Sequence, residues 1–181
     1  MPLGSDYDYE RALAEGQVDL VIGNWPPPPE HLHMAVLLED EVICLMAKDH
    51  PLAKAGKLTT QSYINASHLV PLPYSSSQRG VVESTLATLR LSRGKQVSCP
   101  YFSLAPYLVG ESDLILTTAR HFAAYYARRL PLIIKPAPFD FPLMRFYALW
   151  HPNKHRSNAH AWLRSLLSES AGVLKAIGGS L

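Results

Sequence analysis

The apolar run Val18-Asp19-Leu20-Val21-Ile22, held between Gly16 and Gly23, constrains this chain more than any other stretch. Before it, Tyr9 to Glu15 has helical spacing and stops at Gly16, a normal helix terminus. The run itself is short, continuous and bounded by turn residues, as expected of a parallel strand buried on both faces. Trp25 and the four prolines Pro26 to Pro29 follow. Four consecutive prolines enter neither helix nor sheet, so they form a stiff, extended loop. Met34 to Ala47 then reads as strand, acidic turn (Glu39-Asp40-Glu41) and strand, closing in the charged turn Lys48-Asp49-His50-Pro51. Such a helix–strand unit feeding a sheet is an α/β signature.

Later segments repeat the pattern. His50 to Lys57 is a turn, Thr59 to Ile64 a short helix and Leu69 to Leu72 a strand. Val81 to Leu91 carries Val82, Leu86 and Leu89 at helical spacing, and Lys95 to Cys99 is a strand. Leu104 to Val109 is a helix ending near Gly110, Asp113 to Thr118 a strand and Ala119 to Arg129 a helix. Leu132 to Lys135 and Met144 to Trp150 are strands joined by a proline-rich link, and Asn158 to Ser168 is the last helix. Strands alternating with helices argue for a mostly parallel sheet. The chain leaves one sheet near His50-Pro51 and has Met144 to Trp150 available to return, so two lobes joined by two crossing segments are expected.

With 181 residues the chain has ample length to bury a core. An apolar fraction of 48%, a charged fraction of 18% and a net charge of +2 describe an ordinary globular protein without a basic footprint for nucleic acid. Cys44 and Cys99 lie in apolar runs and read as buried thiols of a reducing compartment. No run reaches the ~20 apolar residues of a membrane span, and no signal peptide is recognisable, so a cytoplasmic location is expected. Met1 to Ser5 reads as a vector remnant.

Residues 14–23, Ala-Glu-Gly-Gln-Val-Asp-Leu-Val-Ile-Gly, and 37–53, from Leu37-Leu38-Glu39-Asp40-Glu41 to Asp49-His50-Pro51-Leu52-Ala53, resemble as wording the effector-binding half of LysR-type transcriptional regulators. Asp113 to Thr118, Phe146-Tyr147-Ala148-Leu149-Trp150-His151 and Trp162-Leu163-Arg164-Ser165-Leu166-Leu167 look like later strands and the closing helix of that family. Tyr101-Phe102, Trp150-His151 and Trp162-Leu163 are most similar to its aromatic-responsive branch. The resemblance implies two Rossmann-like lobes of the type 2 periplasmic-binding-protein-like kind, joined by two crossing strands, the first lobe lacking its opening β-α-β. It implies lobe I at 6–51 plus 145–178, incomplete, and lobe II at 52–144. It also implies a small-molecule effector, homo-oligomers (a dimer, and a tetramer in the full-length protein), and DNA contact only through an N-terminal winged helix-turn-helix that this chain does not contain. No membrane partner, cofactor or metal is implied.

In such a fold a ligand lies at the carboxyl ends of strands, between the lobes. Four segments meet that description. Asn24-Trp25 follows the first strand; the bland alternative is a plain turn with an aromatic packed on the prolines. His68 with Tyr74, Ser75, Ser76 and Ser77 precedes the Val81 helix, whose amino end can hold a carboxylate; simple capping by serine is the alternative. Tyr101, Phe102 and Ser103 pair aromatic rings with another helix start. Thr117 and Thr118 end their strand. Phe146 and Trp150 read as hinge or core.

Other features carry less. His31-Leu32-His33 reads as surface loop rather than a zinc site, for want of further donors in sequence. His151, His155 and His160 read as solvated. Ser75 to Ser77 lacks the G-x-S-x-G elbow, the cysteines lie mid-strand without an activating base, and neither a P-loop nor G-x-G-x-x-G occurs. Sensing a small organic acid, aromatic in the branch it resembles, is therefore the leading expectation. A transport-type solute-binding protein of the same fold is the alternative, and an enzyme built on scattered His68, Tyr101 and Ser103 is a third.

Overall fold

In the computed structural model, residues 8–24, 28–72 and 80–178 are described. Helix α1 (Tyr9–Ala14) opens on Asp8, whose carboxylate accepts from the Arg11 amide at 2.9 Å, and closes ahead of Gly16 at φ +72°. Gln17 and Val18 still donate to the Ala12 carbonyl, so they finish the helix instead of starting a strand. Strand β1 is consequently only Val21–Gly23. The elements that follow are β2 (His33–Asp40), β3 (Val42–Ala47), α2 (Thr60–Asn65), β4 (Ser67–Pro71), α3 (Val81–Thr88) and β5 (Lys95–Cys99). After them come α4 (Ala105–Gly110), β6 (Leu114–Ala119), α5 (Arg120–Ala127), β7 (Leu132–Pro136), β8 (Met144–Trp150) and α6 (Asn158–Gly178).

The chain divides into two units, Asp40–Leu143 and Asp6–Glu39 with Met144–Leu181. The first contains a five-stranded sheet in the order β5-β4-β6-β3-β7. Strands β4, β5 and β6 run parallel, and β3 runs antiparallel to both β6 and β7. Four strands thus share one direction and β3 alone is reversed, because it enters directly from β2 and not through a crossover helix. All six side chains of β3 are buried, in keeping with an interior position. Ile43, Leu45, Leu69, Val109, Leu116 and Leu132 lie at the centre of its core.

The second unit contains a three-stranded sheet, β1-β8-β2. Strand β8 alternates as a pleat requires. Tyr147 and Leu149 pack with Leu13 and Leu32, while Ala148 and Trp150 pack with Leu37 and Ala171 of α6.

Three expectations are corrected. The run Val18 to Ile22 is not a parallel, doubly buried strand: β1 is antiparallel to β8, lies at the sheet edge and leaves Ile22 half exposed. The acidic turn is not a turn within one sheet. Strand β2 runs through Asp40, only Glu41 separates it from β3, and the two strands belong to different sheets. Passage between sheets therefore precedes His50-Pro51, and His50 sits buried in the five-stranded unit with Nδ1 accepting from the Leu52 amide at 3.0 Å. The last helix continues past Ser168 to Gly178.

Candidate functional site

Parallel pairing brings the carboxyl ends of β4, β5 and β6 to one edge of the five-stranded sheet, with Pro71 in register with Cys99. From β4 the chain moves outward through α3 to β5; from β6 it moves the other way through α5 to β7. Adjacent strands whose connections diverge leave a crevice at their carboxyl ends, the usual ligand position in open α/β sheets. Here that position falls at the carboxyl ends of β4 and β6.

The helix starts around it differ. Helix α5 is closed to an outside anion: the buried Asp40 carboxylate accepts from the His121 amide at 2.7 Å and from the Glu41 amide at 2.9 Å. His121 Nδ1 lies 2.9 Å from the same carboxylate, and Arg120 is ion-paired to Glu41. Helix α3 starts on Gly80 with no side-chain cap, and α4 also lacks one. Helix α4 is only six residues long and is entered through the 3-10 turn Phe102–Leu104, so its amino end offers less to an anion than the sequence suggests.

Of the residues expected at the site, Trp25, Tyr74, Ser75, Ser76 and Ser77 lie outside the described residues. Asn24 directly follows β1, in the other unit. Tyr101 is about half exposed and Ser103 is exposed, beyond the carboxyl end of β5. Phe102 turns its ring onto Phe122 of α5 at 4.2 Å between centroids, and the Cys99 thiol donates to the Tyr101 carbonyl at 3.2 Å. Cys99 therefore ends its strand instead of sitting in its middle. Thr117 and Thr118 lie inside β6, which ends one residue later at Ala119, and are buried. The Thr117 hydroxyl is 2.8 Å from Tyr63 Oη and 4.0 Å from Cys44 Sγ. Burial pushes both the Cys44 thiol and the Tyr63 hydroxyl up to about 12.

His68 is a correction. It lies in the amino-terminal half of β4, fully buried, with Nε2 2.7 Å from the Tyr63 carbonyl. Burial, reinforced by the charge of Arg93, lowers its pKa to about 4, so it is a neutral core imidazole and not a ligand contact. Sequence reasoning missed Arg93, whose buried guanidinium is ion-paired to Glu83 in the first turn of α3. No local signal announces that pair; only the fold joins the positions.

Among the histidines of the second unit, His33 and His160 differ from expectation, while His155 is exposed as expected. His33 starts β2 and stacks on His155 with centroids 4.1 Å apart; His155 lies parallel to the Trp150 indole. His160 is buried, not solvated, with Nε2 2.9 Å from the Asp19 carbonyl and Nδ1 2.6 Å from Arg164. The four-residue spacing of His160 and Arg164 on a helix was the signal available for this contact. His31 faces Glu10 at 3.2 Å. Among the described residues no cluster of three histidine, cysteine or acidic side chains is placed to hold a metal, and no helix is long and apolar enough to cross a membrane.

Comparison with known proteins agrees with this architecture. The family model for the LysR substrate binding domain matches residues 3–172. The HTH-type transcriptional activator NahR of Pseudomonas putida is 26% identical over 157 residues, 87% of this chain and 52% of its own length. The crystal structure of a probable transcriptional regulator from Pseudomonas aeruginosa superimposes with a TM-score of 0.77 at 32% identity, over 88% of this chain and 52% of that one. The BenM effector binding domain, solved with its effector benzoate, shares the fold at a TM-score of 0.70 and 16% identity, over 97% of this chain and 78% of that one. This chain thus spans about half the length of the curated relatives it matches. From the ordered wording of its strands, the topology of its sheets and the family match across nearly its whole length, the chain belongs to the LysR substrate-binding-domain family.

Proposed function

We propose that this chain is the effector-sensing part of a cytoplasmic LysR-type transcription regulator, and that a small carboxylate, aromatic or aliphatic, binds at the carboxyl ends of β4, β5 and β6. The observation that carries this reading is the divergence of connections at the adjacent strands β4 and β6, the usual ligand position in open α/β sheets, with α3 following β4 and beginning on Gly80. The exposed Tyr101 ring and Ser103 border the same sheet edge. Ser75 and Ser76, a few residues before α3 in the sequence, are assigned the carboxylate, and Tyr74, Phe102 and Thr118 the apolar part.

Binding changes a population and forms no covalent bond. An effector with higher affinity for one arrangement of the chain shifts the equilibrium toward it, and linkage passes that shift to the oligomer and to DNA bound by a winged helix-turn-helix elsewhere in the whole protein. The relatives named above are regulators, which favours this reading over a transport protein of the same fold. Benzoate on BenM makes aromatic carboxylates the first compounds to try.

The test is a thermal-shift screen of aromatic and aliphatic carboxylates on wild type, Tyr101→Ala and Ser76→Ala. A ligand at a hundred times its Kd stabilises by about 2.7 kcal/mol. We expect a clear rise in Tm for wild type and a much smaller rise for both variants. Equal rises in all three would refute the assigned site.

A further inference from the structure

The histidines around Trp150 form a cluster that the proposed effector site does not use. Trp150 ends β8 and is buried against Leu37, Ala148 and Ala171. Its indole Nε1–H donates to Nδ1 of His155 at 3.3 Å, and the two ring planes are 2° apart. His33, the first residue of β2, stacks on both rings, its centroid 4.1 Å from that of His155 and 5.8 Å from that of Trp150. These contacts fasten the segment 151–157, which links β8 to α6, onto the two strands.

This geometry fixes the protonation state of His155. An indole N–H only donates, so Nδ1 offers it a lone pair and the ring is neutral with its proton on Nε2. A second proton has only Nδ1 to take, where it meets the indole N–H donor to donor. The Trp150–His155 bond cannot survive that step, and a buried indole N–H without an acceptor is costly.

The surrounding charges oppose the same step. Strand β2 presents His33, and from α6 the Arg164 guanidinium lies over the Trp150 ring at 4.8 Å and donates to the His155 carbonyl at 3.2 Å. Arg164 also donates to Nδ1 of His160 at 2.6 Å, and His160 is tilted against Trp150 with centroids 6.0 Å apart. Within the segment itself, Arg156 adjoins His155, His151 accepts from the Asn153 amide at 3.3 Å, and Lys154 is paired to Asp19 at 2.8 Å. Among the described residues no carboxylate is ion-paired to His33, His155, Arg156 or Arg164. Desolvation, then the positive potential of His33 and Arg164, holds the His155 pKa below its ordinary value.

We infer that His155 is an acid-sensitive latch: while neutral it fastens segment 151–157 to Trp150 and His33, and on protonation it releases that segment. The closed form holds the neutral ring, whereas the released form carries an ordinary histidine with a pKa near 6.5. The latch is therefore fully closed above about pH 6.5 and gives way as the pH falls below that value. Release frees the Trp150 N–H and loosens the Arg164 contact with the His155 carbonyl, a population shift driven by proton concentration. The latch lies within the three-stranded unit and stands independently of the effector reading.

The experiment is an NMR pH titration of the whole chain from pH 8 to pH 5. It follows the Trp150 indole N–H, identified by its loss in Trp150→Phe, and the backbone heteronuclear NOE of Lys154, His155 and Ser157. We expect one sigmoidal step in the indole signal with its midpoint below about 6.5, and a fall in the NOE values across the same step. His155→Asn keeps an acceptor near the Nδ1 position but takes up no proton, so both readouts stay flat. His155→Gln, at the same exposed position, serves if His155→Asn does not fold. His33→Leu removes one opposing neighbour and moves the midpoint up toward 6.5, whereas His31→Gln, whose ring faces Glu10, leaves it unchanged. An indole signal that stays flat, a step that persists in the folded His155 variants, a midpoint above 6.5, or NOE values unchanged while the indole moves would each overturn the proposal.

Discussion

His68 shows how burial decides what a titratable side chain can do. Its ring packs against Tyr63 in the core, and its pKa falls to about 4 from an ordinary value near 6.5. Between those two values the unfolded chain holds the proton and the folded chain does not. The stability His68 contributes is therefore complete above about pH 6.5 and lost as pH falls toward 4, amounting to roughly 3 kcal/mol. Urea unfolding at pH 7 and pH 4.5 should show a steeper loss for wild type than for His68→Leu; parallel curves would contradict the assignment. Cys44 is protected by the same burial, its thiol pushed up to about 12. Iodoacetamide at pH 8 should leave Cys44 unmodified in the native chain and alkylate it after unfolding. The neighbouring Tyr63→Phe removes the partner of the Thr117 hydroxyl and should cost about 1–2 kcal/mol in denaturant unfolding, with the fold retained.

At the scale of elements, Asp40 carries more of the structure than its acidic neighbours suggest. One carboxylate satisfies the amide of His121 at the start of α5 and the amide of Glu41 at the step between β2 and β3. Asp40→Ala leaves a helix start uncapped and should destabilise by about 2–3 kcal/mol, whereas Glu39→Ala, which breaks only an exposed pair with Arg145, should change stability by less than about 1 kcal/mol. Most elements were readable in the residues: Thr59 to Ile64 became α2 with its Thr59–Ser62 capping box, and Lys95 to Cys99 became β5. Glu39-Asp40-Glu41 was misread because three acidic residues resemble an exposed turn, while the long-range bond to α5 that makes Asp40 buried has no local trace. Val18 was misread for the opposite reason, since its apolar character fits a strand but its amide is already bonded to Ala12. Of the candidate site, the position of Tyr101 and Ser103 past a parallel strand was legible from alternation and spacing. The burial of His68 and the pairing of Arg93 with Glu83 were not, because each depends on residues brought together only by the sheet order.

For the whole molecule, the two units differ in how the chain makes them. Asp40–Leu143 is one continuous stretch containing five strands and its own core, whereas the three-stranded unit draws on both ends of the chain. Residues 40–143 expressed alone should therefore unfold cooperatively in urea, monitored by circular dichroism; a non-cooperative profile would show that this unit depends on the other. The central claim concerns sensing, and the first relevant measurement is the thermal-shift screen of carboxylates on wild type, Tyr101→Ala and Ser76→Ala. A compound that raises the wild-type Tm by several degrees, and raises that of both variants far less, is the predicted result. A flat response to a broad panel by folded protein, or equal stabilisation of all three chains, would contradict an effector site at the carboxyl ends of β4, β5 and β6.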